Sequence, residues 1–129
     1  MKRSQGRDRD SGAAAIEFAL VLPVLVLLIL GLIEFSRVYN VQISISNAAR
    51  EGARTMAIEN DVDVATDAAI AAAPSVSPAI SAGQIGISPL DCDEGGTVTF
   101  TITYDVDLMT GFFGAVLPLT GEGVMRCGG

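Results

Sequence analysis

The sequence predicts an α+β protein with a long N-terminal helix whose first part crosses a membrane, a short second helix and a small antiparallel sheet. Three observations carry that expectation. Residues 13–33 form an apolar run, helical spacing of apolar side chains continues without proline through residues 34–58, and residues 97–108 alternate strictly between apolar and polar side chains. A helix face repeats every three to four residues and a strand face every two, so the period itself marks the passage from helix to sheet.

Each element follows in chain order. Residues 1–12 form a basic leader, in which Lys2, Arg3, Arg7 and Arg9 all precede the apolar run, whereas only Arg37, Arg50, Arg54 and Arg126 follow it. Basic residues are retained on the cytoplasmic side of a span, which places the N-terminus in the cytoplasm and exports everything after Glu34. The run at residues 13–33 covers roughly 31 Å as a helix, about one hydrocarbon core. It exceeds the h-region of a secretory signal and runs into "EFSRVYN" rather than a small-residue cleavage site, so it reads as a retained span. Pro23 lies inside it, removes the amide that would bond the Ala19 carbonyl, and is expected to kink the helix. Glu17 also lies inside it. A carboxylate at a helix centre costs roughly 2.5–3.5 kcal/mol on insertion scales, so Glu17 calls for a function.

The helix continues outside the membrane over residues 34–58, giving one rod of about 45 residues, roughly 70 Å long. Val38, Val41, Ile45, Ala48, Ala49, Gly52 and Met56 share its apolar face, and Arg37, Asn40, Ser44, Asn47, Glu51 and Arg54 its polar one. The apolar face turns small at Ala48, Ala49, Gly52 and Ala53, which permits close approach either by the chain's own sheet or by a neighbouring copy. Residues 59–83 hold a short helix, "VDVATDAAIAAAP", capped by Asp61 or Asp63 and stopped by Pro74, and then a linker. Residues 84–129 form a small β region, with a short strand in "QIGISPL" and the firm one at 97–108. "MTGFFGAVLP" reads as a hydrophobic connection, and "LTGEGVMRC" as a return strand weakened by its glycines.

Only Cys92 and Cys127 occur, both on the exported side, where oxidising conditions favour a disulfide. In the chain-entropy account, closing a loop of that size stabilises by about 3.5–4 kcal/mol before strain. With only about 95 residues left to build a water-soluble core, such a staple matters. "DCDEGG" clusters acids around Cys92, but it lacks the alternating oxygen ligands of a calcium loop and the chain has no histidine, so no metal is expected. No cofactor or enzyme activity is expected either, because no nucleophile has an obvious base and Asp105 and Asp107 are explained as the wet face of a strand. The net charge of −7, and the absence of a basic stripe, argue against nucleic acid. "LPLTG" matches the pattern cut by sortases, but "EGVMRCGG" follows it instead of a hydrophobic segment and basic tail.

Gly12 followed by Ala13, with Glu17 fifth after the glycine and Phe18 next, resembles the type IV prepilin pattern, in which a membrane peptidase cuts after the glycine. More narrowly, "GAAAIEFALVLPVLVLLILGLIEFSRVYNVQISISNAAREGARTMA" resembles the TadE-like family, minor pilins or pseudopilins of the tight-adherence (Tad) pilus system. The likeness rests on the Gly12 and Glu17 spacing, Phe18, Leu22 and Pro23, Glu34 and Phe35, and "NAAREGAR" at residues 47–54. It implies a pilin-like fold, cleavage after Gly12, and action in pilus assembly, adhesion or secretion. The implied partners are a prepilin peptidase, other minor pilins and a major pilin, an inner-membrane assembly platform, and membrane lipid. The implied location is the inner membrane, crossed once, or a surface pilus at its base or tip.

The resemblance also gives Glu17 a role. Its carboxylate would meet the Ala13 ammonium of a neighbouring subunit, a pair that gains about 4 kcal/mol at 4 Å and an effective dielectric of 20, which offsets the insertion cost. Pro23, Arg50 and Arg54 are further candidate assembly contacts. The two arginines lie one turn apart, repel mildly, and should seek acidic partners. Two alternatives stay open: an unprocessed, membrane-anchored binding protein, and an anchored enzyme.

Overall fold

The computed structural model describes residues 5–111 and 114–128, with side chains from Asp10 onward. The leader residues Lys2 and Arg3, the side chains of Arg7 and Arg9, and Phe112 and Phe113 of the expected hydrophobic connection lie outside the described residues. The architecture is α+β. Helix α1 (Gln5–Glu59) is followed by α2 (Val62–Ala71), a 3-10 turn (Ala82–Gln84), and strands β1 (Ile85–Ser88), β2 (Thr97–Asp107) and β3 (Val116–Arg126). Contacts divide the chain into two units that meet at Phe35 and Ser36.

In the first unit the helix passes through Pro23 without ending. A missing amide bond is tolerated in an apolar helix whose neighbouring turns remain bonded.

The second unit holds the core. The strands form an antiparallel sheet in the order β1-β2-β3, with Ile102 opposite both Ile85 and Gly121, and Phe100 opposite both Ile87 and Gly123. Along β2 the alternation in sequence becomes alternation in space: Val98, Phe100, Ile102, Tyr104 and Val106 are buried, and the residues between them face outward. Burying each large aliphatic or aromatic side chain contributes about 1.5–3 kcal/mol.

The opposing layer is α1, whose Ile45, Ala48, Ala49, Ala53 and Met56 are fully buried. The helix's small face is therefore closed by the chain's own sheet. The fit pairs large with small. A Cβ placed on Gly52 would lie 2.6 Å from two ring carbons of Phe100, and one on Gly121 would lie 2.7 Å from the Ile45 carbonyl. The β3 glycines expected to weaken the strand instead let its backbone reach the helix backbone. β3 is also longer than the sequence suggests, since "VLP" at residues 116–118 belongs to the strand and not to the connection before it. Pro118, opposite Asp105, is tolerated because β3 is an edge strand.

Local chemistry sets the ends. Asn60 adopts φ 49° and closes α1, its amide bonding the Met56 carbonyl at 3.0 Å. Asp61 caps α2 by accepting from the amides of Asp63 and Val64 at 2.9 and 3.1 Å. Helix α2 ends at Ala71, short of Pro74, and buries Ala65 and Ala69.

Candidate functional site

In the first unit, Gly12, Ala13, Glu17, Phe18 and Pro23 all lie on α1 and are exposed. Glu17 follows Ala13 by four residues, which is about one helical turn. Space around Gly12 is open, with nothing within 4 Å of a Cβ built there. The apolar side chains that follow have no cover from the chain: Leu20 is 69% exposed and Leu32 67%. This is one helix long and apolar enough to cross a membrane, and lipid or other apolar surfaces would relieve its exposure.

In the second unit, Arg50 and Arg54 point outward from α1. Arg54 reaches Glu51 at 3.8 Å, a solvated pair whose contribution to stability is small.

A cleft of about 350 Å³ opens between α1, the loop after α2 and the far end of β2. Arg37 and Asn40 come from the helix, Ser75 and Ser77 from the loop, and Tyr104, Asp105 and Asp107 from the strand. Several bonds hold its walls. Arg37 Nη1 donates to the Asp107 carbonyl at 3.1 Å, Tyr104 Oη donates to the Pro78 carbonyl at 2.7 Å, and the Ser44 and Ser75 hydroxyls meet at 3.0 Å. Burial pushes the Tyr104 phenol above its ordinary pKa of 10.0; the Arg37 cation works against that shift, and the Asp107 carboxylate adds to it.

Residues 12–54 match the TadE-like protein family. The match starts at Gly12, takes in Glu17, Phe18 and Pro23, and ends at Arg54. It connects the chain with Tad pilus-associated proteins, a family not known for enzymatic activity. No curated protein and no solved structure matches the chain.

Beyond the TadE-like segment, Cys92 and Cys127 form a disulfide with Cα atoms 5.3 Å apart. It ties the segment before β2 to the end of β3. Hydrogen bonds tie the same corner to α1: the Cys92 amide donates to Asn60 Oδ1 at 2.7 Å, and the Gly128 amide to the Ala57 carbonyl at 3.3 Å. The sortase-like "LPLTG", residues 117–121, lies within β3 and is paired along its length with β2. The cleft was not legible in the sequence. Arg37 and Asn40 read as a solvated helix face and Asp105 and Asp107 as a solvated strand face, and no local signal says that the loop at residues 75–78 folds across them.

Proposed function

We propose that this chain is a minor pilin or pseudopilin of a Tad-type pilus, cut after Gly12 by a prepilin peptidase and acting in pilus assembly, adhesion or secretion. The observation that carries this reading is the TadE-like match, which begins at Gly12 and includes Glu17. Cleavage there creates an ammonium at Ala13. Within a bilayer, an ammonium and a carboxylate on adjacent subunits each lower the penalty of burying the other, so Glu17 favours docking beside a partner over remaining alone. The exposed apolar helix provides the surface for that docking, and the exported unit, with its helix face already closed by its own sheet, is carried as a folded module. Arg50 and Arg54 offer outward cations to acidic groups of a neighbouring pilin.

The test is the N-terminal residue of the protein recovered from membranes. Ala13 is expected, and Gly12→Trp should leave the chain uncut. Recovery of chains that begin only at Met1 would overturn the reading. The cleft in the second unit favours one competing reading, a permanently anchored binding protein, and that protein would be found uncut and would not co-purify with pilins.

A further inference from the structure

One edge of the sheet is blunted and the other is open. β1 begins at Ile85, opposite Ile102, and the residues before it form the 3-10 turn, so the last residues of β2 have a strand neighbour only in β3. Along an antiparallel pair, residues alternate between those that bond the partner through both backbone groups and those that turn both away. The Leu108 amide donates to the Ala115 carbonyl at 3.0 Å, one step beyond the pairing of Asp107 with Val116. Tyr104 and Val106 therefore bond towards β3, and Asp105 and Asp107 turn their backbone groups to the open side. Arg37 Nη1 meets the Asp107 carbonyl there. The Asp105 N–H and C=O and the Asp107 N–H have no partner among the described residues. The cleft of about 350 Å³ is lined by Tyr104, Asp105, Val106 and Asp107 and so runs along this edge. The outer edge of β3 differs: Pro118, opposite Asp105, has no N–H to offer, and the Thr120 carbonyl already accepts from Gln42 Nε2 at 2.9 Å.

Charge selects what can pair there. The side chains of Asp105 and Asp107 stand exposed on the outward face of the sheet, two residues apart. Opposite them on β3 are Pro118 and Val116, which carry no charge, and neither carboxylate is in an ion pair among the described residues. On the inward side of the same stretch, Arg37 lines the cleft. A strand laid along the edge sends alternate side chains to the two faces, one set beside the carboxylates and the other over the cleft. Opposite charges directly across two strands attract and like charges repel, so the outward positions favour lysine or arginine and the inward ones disfavour them. Residues 36–129 carry four arginines against eleven acids, a net −7, which steers a basic partner towards this unit.

We infer that the open edge of β2 takes up, as an added strand, an extended segment of another protein in which lysine or arginine alternates with uncharged residues. Main-chain bonds to Asp105 and Asp107 hold the segment, and the alternation of its side chains decides which segment is held. The site belongs wholly to the second unit and does not depend on cleavage after Gly12 or on pilus assembly.

The test uses the full chain in detergent and three short peptides with blocked ends: lysine alternating with valine, glutamate alternating with valine, and the lysines and valines of the first gathered into two blocks. Binding is read by fluorescence anisotropy and amide exchange by nuclear magnetic resonance. The alternating lysine peptide should bind about tenfold more tightly than either of the others, the effect of two cross-strand charge pairs, and should slow exchange of the Asp105 and Asp107 amides. Asp105→Asn with Asp107→Asn should weaken it about tenfold, whereas Asp91→Asn with Asp93→Asn, an equal loss of exposed charge elsewhere in the unit, should leave it unchanged. Asp105→Pro deletes a free amide and no bond to β3, and should abolish binding; if that variant does not fold, exchange at the two amides in the unaltered chain decides. Equal binding of the alternating and block peptides, equal weakening by the two Asn pairs, or binding that leaves the Asp105 and Asp107 amides exchanging as before overturns the inference. Self-association of the unaltered chain that Asp105→Pro removes would make a second copy the occupant, and overturns the basic segment.

Discussion

Gly123→Ala tests the close approach on which the second unit is built. A Cβ at this position would lie 2.6 Å from the Ala49 carbonyl carbon and 2.7 Å from Arg50 Cα, and the Ala49 carbonyl oxygen would be closer still. Ordinary contact begins near 3.4 Å, so the strand or the helix must give by at least about 0.8 Å. Neither can do so by rotating a side chain, because the obstructing atoms are backbone within α1. Gly123 is also paired with Phe100, the largest fully buried side chain, so lifting β3 opens the packing at the centre of the sheet. Overpacking of this kind costs about 1–3 kcal/mol, and with backbone on both sides the upper value is expected. For a unit of this size each 1 kcal/mol moves Tm by roughly 4–8 °C, which gives a fall of roughly 12–24 °C. The assay is thermal unfolding of the full chain in detergent, followed by near-ultraviolet circular dichroism. Gly86→Ala is the control, since its Cβ meets nothing closer than the Thr101 carbonyl at 4.0 Å and should change stability by less than about 0.5 kcal/mol. If Gly123→Ala melts with the unaltered protein, β3 is not seated against α1 and the argument fails.

Three further outcomes are expected. Glu17→Ala removes an insertion penalty and the proposed partner of the Ala13 ammonium, so membrane levels and cleavage should hold while co-purification with other pilins and pilus number fall; wild-type piliation would reduce Glu17 to a tolerated polar residue. Cys92→Ser or Cys127→Ser should loosen the end of β3 by at most about 4 kcal/mol, read as faster amide exchange there, and thiol labelling of the exported protein without prior reduction would contradict the pairing. Because the Tyr104 phenol has its pKa raised in the folded state, the stability it contributes is complete below about pH 10 and is lost as pH rises through the folded value. Denaturant stability should therefore fall less steeply above about pH 10 in Tyr104→Phe than in the unaltered chain, and parallel slopes would refute the linkage.

The sequence alone determined what depends on neighbours a few residues apart. The apolar run with Glu17 and Pro23 inside it, the period of three to four through Met56, a cap at Asp61 or Asp63 and the alternation of β2 are all local patterns, and each is found where its spacing put it, with the structure choosing Asp61 for the cap. The cysteine pairing was legible for a different reason: with two cysteines in the sequence, each has one possible partner. Tertiary structure decided what depends on residues far apart in the chain. Glycine in a strand reads as weakness when only its lost side chain and added freedom are counted, and Gly121 and Gly123 acquire their use only once Ile45 and Ala49 are brought against them. The small face at Ala48, Ala49 and Gly52 suited a neighbouring subunit as well as the chain's own sheet, because composition fixes how closely a backbone can approach and not which backbone does so. The cleft draws on residues 37–41, 75–78 and 104–107, three segments whose polar groups each look solvated until folding sets them around one space.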